Sequence, residues 1–356
     1  MTGLPRASSL AVPALALAFS ILVGTGFILA IGRDPLAVYA ELLRGTLGSP
    51  YGFGQVLFKA TPLIFTGLAC SLAFRAGLVN IGAEGQLYMG AFATAWVGFT
   101  FPQLPAWVLA PLCILGGALG GALWGAIPGV LKARFGSHEV INTIMLNFIA
   151  IALTSYFVSN VFVVPETVHT PEIGPGAHLM RLERIFPALA GSPVNLSFFF
   201  ALAAAAGYAF LMRRTRLGYE LRVVGLNPSA AEYAGIRVGR AYVTAMALSG
   251  ALAGLVGMGS VMGYKHYFES GFSNGMGFMG LAVALLARES ALGLVAAALF
   301  FGVLSQGGLV INTLVPKELV EILQGIVILA VIVSSNLVQD FLGRRARART
   351  AQGATA

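Results

Sequence analysis

The chain has 356 residues, of which 57% are hydrophobic and 10% are charged, and its formal net charge is +8. A soluble domain carries about 25% charged residues, so this composition excludes an ordinary soluble globule. Apolar runs long enough to cross a bilayer recur from end to end, and they predict an all-α fold: a polytopic bundle of transmembrane helices.

Ten runs are predicted to span the membrane, at about residues 10–32, 55–74, 85–101, 106–131, 139–163, 195–212, 241–263, 275–287, 291–313 and 319–338. The first run has no small-residue cleavage pattern at its end, which favours a retained helix over a signal peptide. Before the second run, residues 34–49 have apolar side chains at helical spacing. This pattern predicts an amphipathic helix along the outer membrane interface.

The positions of the basic residues predict the topology. Most Lys and Arg side chains fall on one side if the N-terminus is inside, which selects N-in and C-in by the positive-inside rule. Residues 164–194 then form an external loop, 213–240 a cytoplasmic loop and 339–356 a basic cytoplasmic tail. Two halves of five spans each would insert in opposite senses, as inverted repeats do. The basic excess is therefore a topology signal and does not indicate nucleic-acid binding.

Polar residues interrupt the apolar sequence at residues 74–90, "FRAGLVNIGAEGQLYMG". Asn80, Glu84 and Gln86 lie here among several glycines. Irregular backbone at membrane depth must be buried in protein or line a wet cavity. The segment is either a tight cytoplasmic turn or a broken segment that re-enters the bundle. In the second case these three side chains are candidates for the translocation path.

Two further places add candidates for that path. Asn142 and Asn147 are amides within an apolar span, and they point about 140° apart on a helix. One of them can line the pathway while the other links two helices. Phe278 and Met279 follow the glycine-rich entry "SGFSNGMG", where an aromatic ring could stack on a base or sugar. Core packing is the competing interpretation of both pairs.

Glycines four residues apart predict a close helix contact in the fourth span. They are Gly117, Gly121, Gly125 and Gly129, and similar pairs recur in the seventh span. Such spacing makes a groove in which a neighbouring backbone can approach closely. The interpretation is helix packing, which is compatible with any function.

The cytoplasmic loop contains the signals of a complete short helix. Asn227 can cap its start, Pro228 suits the first helical position and Gly235 can close the end in a left-handed conformation. A helix of two turns is unstable alone in water, so it needs a surface on which to dock. That surface is either its own bundle or another protein.

Several motifs in order resemble the permease subunit of ATP-binding-cassette importers, in the branch that handles nucleosides and simple sugars. They include "KATPLIFTGLA", "LVNIGAEGQLYMGA", "GALWGAIPGVLKARFGSHEVI", "HEVINTIMLN", "LNPSAAEYAGI" and "GFMGLAVALLAR", and the likeness runs from about Leu36 to Leu337. The branch is related to ribose and branched-chain amino acid permeases. Ala287-Arg288 departs from the pattern, where Gly-Arg or Gly-Lys is expected.

The resemblance implies a function and a set of partners. The short helix would be the coupling helix that docks on the ATPase, formed by Asn227, Pro228, Ala230, Ala231, Glu232, Tyr233, Gly235 and Ile236. The implied partners are a cytoplasmic ATPase that carries ATP and Mg²⁺, a second permease (usually a paralogue), an external substrate-binding lipoprotein and membrane lipid. The implied location is the bacterial cytoplasmic membrane.

The residues themselves agree with a permease that is not an enzyme. The sequence has no G-x-x-x-x-G-K-[ST] phosphate loop, and no catalytic, cofactor or metal site is predicted. The alternative is a secondary transporter of a small neutral solute, coupled to ions or protons. It would need an intramembrane carboxylate, for which Glu84 is the candidate.

Overall fold

The computed structural model describes residues 21–287 and 290–315, together with residues 322, 325, 326 and 329. The chain divides into two compact units, one formed by Leu47–Val303 and the other by Met1–Thr46 with Leu304–Ala356. Within the described ranges the fold is helical, and β-pairing is limited to two isolated bridges. The predicted all-α class is confirmed.

The larger unit is a bundle of helices that vary widely in length. They are α3 (Pro50–Arg75), α4 (Ala83–Thr100), α5 (Ala106–Phe135), α6 (Glu139–Tyr156), α7 (Ser197–Arg214), α8 (Arg216–Leu226), α9 (Pro228–Tyr233), α10 (Val238–Gly254), α11 (Met276–Ala287) and the start of α12 (Ala291–Val310). Two π-helical segments, Phe157–Val161 and Met258–Lys265, follow α6 and α10. Local signals set the ends: Ser49 caps α3, and Gly136 closes α5 with a φ of +64°.

The smaller unit contains α1 (Ile21–Ala30) and α2 (Pro35–Thr46), whose axes are bent by 117° at the break between them. Its core is apolar and consists of Ile28, Val38, Ile311 and Val315. The helix α2 lies where the amphipathic helix 34–49 is predicted. Its position at the membrane interface stays a prediction.

Five helices in the described ranges are long and apolar enough to cross a membrane. They are Pro50–Arg75, Ala106–Phe135, Glu139–Val161, Val238–Lys265 and Ala291–Val310, and the bent pair α1–α2 would make six. The predicted runs 85–101, 195–212 and 275–287 coincide with the shorter or less apolar helices α4, α7 and α11. The count of ten spans and the N-in, C-in orientation therefore stay predictions.

Some predicted segments fall outside the described residues. These are the start of the first run before residue 21, Arg288, most of the run 319–338 and the basic tail 339–356.

The loop 213–240 is more ordered than its sequence predicts. It contains α8 before the expected short helix α9. The Thr215 hydroxyl starts α8 by accepting a hydrogen bond from the Gly218 N–H at 3.1 Å. The helix was missed because its charged residues resemble a polar loop, although Arg216 and Glu220 form a helical ion pair at 2.8 Å.

Candidate functional site

The segment between α3 and α4, residues 76–82, is not helical and is mostly buried in the larger unit. Gly77 ends α3 with a φ of +73°, and a Cβ added there would lie 3.1 Å from the Gly225 backbone. Leu78 is 1% exposed and Asn80 is fully buried. The break is thus enclosed by protein, as non-helical backbone at membrane depth must be, and its placement at that depth stays a prediction.

Asn80 is the centre of the hydrogen bonds that hold this break. Its Nδ2 donates to Gln86 Oε1 at 2.9 Å and to Ser249 Oγ at 2.7 Å, and its Oδ1 accepts from the Gly82 N–H at 2.9 Å. The Ser249 hydroxyl donates to the Ala69 carbonyl oxygen at 2.6 Å. Buried amides are costly unless they are hydrogen-bonded. Here they join the break to α3, α4 and α10.

Glu84 links α4 to the start of α11. Its side chain is buried, the Ser273 hydroxyl donates to Oε1, and the Gly277 N–H donates to Oε2 at 2.7 Å. Gly277 lies in the first turn of α11, where backbone N–H groups have no partner within the helix and the helix dipole favours a negative charge. A Cβ at Gly277 would overlap the Glu84 backbone. The carboxylate therefore caps a helix from a distant part of the chain.

The two predicted asparagines of α6 have different surroundings. Asn147 is buried; its Oδ1 accepts from the Gly85 N–H at 2.8 Å and its Nδ2 donates to the Ile81 carbonyl oxygen at 3.0 Å. Asn142 is only half-buried and donates to Ser137 Oγ at 2.6 Å. The structure thus brings Asn147, but not Asn142, to the break between α3 and α4.

We call this cluster the polar joint, and its members are Asn80, Glu84, Gln86, Asn147, Ser249 and Ser273. Phe278 and Met279 lie in the first turn of α11, directly after Gly277. Phe278 is 50% exposed and Met279 is half-buried, and the backbone of Phe278 lies within hydrogen-bonding reach of the Glu84 carboxylate. A role of any of these residues in the translocation path stays a prediction.

Glycines let α5 and α10 approach until their backbones touch. A Cβ at Gly121 would overlap the Gly250 carbonyl oxygen, and one at Gly125 would overlap the Met246 carbonyl oxygen. At its two ends the row continues with Gly117, near Thr94 and Gly254, and with Gly129, near Val243. We call this contact the glycine seam. It is a packing contact of the kind that small residues allow between membrane helices.

The short helix α9 forms with the expected local structure. Asn227 Oδ1 accepts from the Ala230 N–H at 3.1 Å, and the Ile236 N–H closes the end on the Ala231 carbonyl oxygen at 2.9 Å beside Gly235, whose φ is +78°. Its surface is exposed at Pro228, Ala230, Glu232 and Tyr233, and Tyr233 reaches 95%. Only Ala231 turns inward. The helix presents an uncovered surface, with its stability supplied by one buried residue and its two ends.

At another place in the larger unit, residues 168–182 pair with residues 262–270. Backbone bonds include Ile173 N–H to the His266 carbonyl oxygen at 2.8 Å and Thr170 N–H to the Phe268 carbonyl oxygen at 2.9 Å. The ring of His178 stacks on that of His266 with centroids 3.7 Å apart. We call these two paired segments, residues 168–182 and 262–270, the cover. Burial lowers the pKa of His266, and the adjacent His178 and Arg181 lower it further.

Sequence reasoning missed several members of these clusters. Ser249 carries a signal that could have found it, because a serine among small residues in a membrane helix commonly hydrogen-bonds between helices. Ser273 lies in "GFSNG" and gave no such signal. The stacked histidines are 88 residues apart in the chain, which hid their contact. In the part of the chain that the structure describes, no group of His, Cys, Asp and Glu is placed to hold a metal ion.

The sequence was compared with known protein families and with individual relatives, and it is similar to permeases. The family described as "Branched-chain amino acid transport system / permease component" matches residues 52–332. The chain is 40% identical to the guanosine ABC transporter permease protein NupP of Bacillus subtilis over 347 residues. This alignment covers 95% of this chain and 97% of the relative. It is 34% identical to the nucleoside ABC transporter permease protein NupB of Lactococcus lactis, over 89% of each chain. It is 36% identical to a glucose ABC transporter permease protein of Haloferax volcanii, over 90% of this chain and 87% of the relative.

Proposed function

The chain belongs to the family of branched-chain amino acid transport system permease components, and we propose that it moves nucleosides, or else simple sugars, into a bacterial cell. It is the membrane-spanning permease subunit of an ATP-binding-cassette importer. The observation that carries the substrate class is the similarity, over 95% of the chain, to a permease named for guanosine. Nucleosides and sugars are neutral and hydroxylated, which suits a bundle with few charged side chains.

ATP and Mg²⁺ bind to a separate cytoplasmic ATPase subunit in this proposal, and α9 is the coupling helix that docks on it. The chain has no phosphate loop of its own. The exposed side chains of Glu232 and Tyr233 give α9 the surface that docking requires. Because so short a helix is unstable alone in water, docking on the ATPase would also stabilise it.

The proposed motion passes from α9 through α8 to the polar joint. Near the end of α8, Gly225 packs against Gly77 and the carbonyl of Arg75 with no side chain between the backbones. A shift of α8 therefore reaches residues 76–82 directly. From there Asn80 bonds to α10 through Ser249. This contiguous series of contacts would let a cytoplasmic movement open and close the bundle in alternating access.

The remaining parts of the proposed importer follow the family. A second permease subunit, a paralogue, pairs with this chain, and a binding lipoprotein delivers the substrate at the external face near residues 164–194. The chain lies in the cytoplasmic membrane, surrounded by lipid, with both termini inside. The residues Asn80, Glu84, Gln86, Asn147, Phe278 and Met279 remain the proposed surroundings of the translocation path, with Asn142 farther away.

The alternative of an ion- or proton-coupled transporter would use Glu84 differently. It required Glu84 as an exchangeable carboxylate, whereas the Ser273 hydroxyl and the Gly277 N–H both donate to this side chain. Those donors give the Glu84 side chain a structural role as the cap of α11. The family of ATP-driven permeases accounts for α9, which an ion-coupled transporter would leave without a role.

A double variant of α9 tests the proposal: Glu232→Arg with Tyr233→Ala, in the full complex reconstituted in lipid. We expect the variant to assemble but to lose nucleoside uptake and substrate-stimulated ATP hydrolysis. Tyr219→Ala is the matched control, because Tyr219 is an exposed tyrosine on α8. Unchanged coupling in the double variant, or equal loss in the control, would remove α9 from its proposed role.

A further inference from the structure

Three arginines surround a cavity beside α7 and α8 that the transport mechanism does not use. The cavity measures about 120 Å³, and its walls are Arg75, Tyr208, Ala209, Met212, Arg213, Arg222 and Ala291. A water molecule needs about 10–15 Å³ by the same measure, so the cavity has room for a larger group. The three guanidinium groups come from the ends of α3 and α7 and from α8, so the fold brings together residues far apart in sequence.

Among the ion pairs of the described residues, none includes Arg213 or Arg222. Arg222 donates its Nε to the Gly218 carbonyl oxygen at 3.2 Å, which holds its guanidinium in place against α8. Two positive charges at one cavity repel each other, and an anion that both Arg213 and Arg222 contact offsets that repulsion.

The geometry favours a phosphate group as this anion. Guanidinium groups bind phosphate with paired, parallel hydrogen bonds, and several arginines can share its oxygen atoms. The wall at Ala291 is the first residue of α12, and the N–H groups of a helix's first turn add partial positive charge. Tyr208 shares a hydrogen bond with Ser71 at 2.7 Å, so its hydroxyl is anchored at the wall.

The neighbouring surface indicates where such a phosphate comes from. Phe210, on α7 between lining residues Ala209 and Met212, is 63% exposed. An exposed aromatic side chain next to a basic cavity suits a phospholipid, whose chains would lie along the helix while the headgroup enters the cavity. Basic pockets between helices on the cytoplasmic side bind anionic headgroups in this way. The cytoplasmic placement rests on the topology in the proposed function.

We propose that this cavity binds the phosphate of an anionic phospholipid headgroup, and that the bound phosphate ties α8 to the ends of α3 and α7. Since α8 leads directly into α9, lipid at this site would set how firmly the base of α9 is held. Free inorganic phosphate shares the chemistry and is the other possible source.

Native mass spectrometry of the full-length chain, with the subunits that accompany it, tests the proposal. Detergent-solubilised protein is titrated with phosphatidylglycerol, with phosphatidylcholine and, in a separate arm, with millimolar inorganic phosphate. Each arginine near a lipid headgroup contributes about five-fold in affinity, so Arg213→Gln with Arg222→Gln should weaken phosphatidylglycerol binding about 25-fold. Phosphatidylcholine binding should not change.

Arg216→Gln is the matched control, because Arg216 is also on α8 but is 91% exposed and pairs with Glu220 outside the cavity. Arg213→Lys with Arg222→Lys, which keeps the charge, should restore part of the affinity and exclude misfolding as the cause. Displacement of the lipid by phosphate would support the shared site, and phosphate binding without lipid preference would assign it to the free ion. Equal lipid binding by wild type and the Gln variant, with no phosphate bound, would overturn the proposal. Uptake is measured separately, so this failure leaves the transport function untouched.

Discussion

The glycine seam and the polar joint hold the same bundle by opposite means. At the seam, α5 and α10 touch through backbone atoms, and Gly121 lies directly against Gly250. At the joint, the helices are linked by side chains such as Asn80 and Glu84, each with its hydrogen bonds filled. Both regions are buried, but the seam depends on shape and the joint on polar partners.

The difference indicates which region can move. At the centre of the seam, the nearest neighbours of a Cβ at Gly121 are all backbone atoms, so no side chain there can change rotamer to allow a different arrangement. The joint is made of hydrogen bonds that can be exchanged for others or for water. We therefore assign the seam to the rigid part of the bundle and the joint to the part that rearranges during transport.

The largest expected effect is at the seam. Gly121→Leu would drive a side chain into the Gly250 carbonyl oxygen, where no neighbour can yield. We expect a loss of about 3 kcal/mol or more in the free energy of unfolding, measured by denaturant titration in detergent. Gly207→Leu is the control, because no atom lies within 4 Å of a Cβ at Gly207 in α7. Equal stability of the two variants would contradict the backbone contact.

A smaller effect is expected when the acidic side chain of the joint is removed. Glu84→Ala leaves the Ser273 hydroxyl and the Gly277 N–H without their acceptor. Each unsatisfied buried group costs about 1–3 kcal/mol, so we expect a loss of about 2–3 kcal/mol in the same titration. Glu84→Gln keeps one acceptor oxygen and should lose about half as much. A variant with Ala as stable as wild type would show that Glu84 does not cap α11.

The two asparagines of α6 allow a residue of the polar joint to be compared with a residue outside it on the same helix. Asn147→Ala removes bonds to Gly85 and Ile81 and should cost about 1–2 kcal/mol of unfolding free energy. Asn142→Ala removes only a half-buried bond to Ser137 and should cost about 0.5 kcal/mol or less. The thermal unfolding temperatures of the two variants should differ in that order. The reverse order would remove Asn147 from the joint.

The smallest expected effect is a pH dependence of the cover. Burial, His178 and Arg181 lower the pKa of His266, while Glu172 acts in the opposite sense. Because protonation of His266 is disfavoured in the folded cover, the ring binds a proton more readily when this region is locally unfolded. The stability that the neutral ring contributes is present above the ordinary histidine pKa of about 6.5 and is lost as the pH falls below it.

Hydrogen exchange of the Ile173 amide, which bonds to the His266 carbonyl oxygen, measures this effect. Exchange, corrected for its intrinsic pH dependence, should become less protected as the pH falls through about 6. His266→Asn is the control, since asparagine tolerates the φ of +66° but does not titrate. The same loss of protection in this variant would show that another group is responsible.

The helical fold and α9 could be predicted from sequence because their signals are local. Apolar runs locate α3, α5 and α10, while Asn227 and Gly235 mark the ends of α9. The joint could be predicted only in part. Asn80 and Glu84 are recognisable as polar residues within an apolar sequence. The hydrogen-bond donor to Glu84, however, is the Gly277 N–H, 193 positions away. No local pattern encodes such a contact, and the same holds for the arginine cavity.

Uptake of radiolabelled guanosine into vesicles that contain the full complex tests the central claim most directly. The account predicts uptake that requires ATP hydrolysis, stops with vanadate and continues when the proton and sodium gradients are collapsed. It also predicts that Glu232→Arg with Tyr233→Ala abolishes uptake. Uptake that ignores vanadate but disappears with the ion gradients would contradict the account.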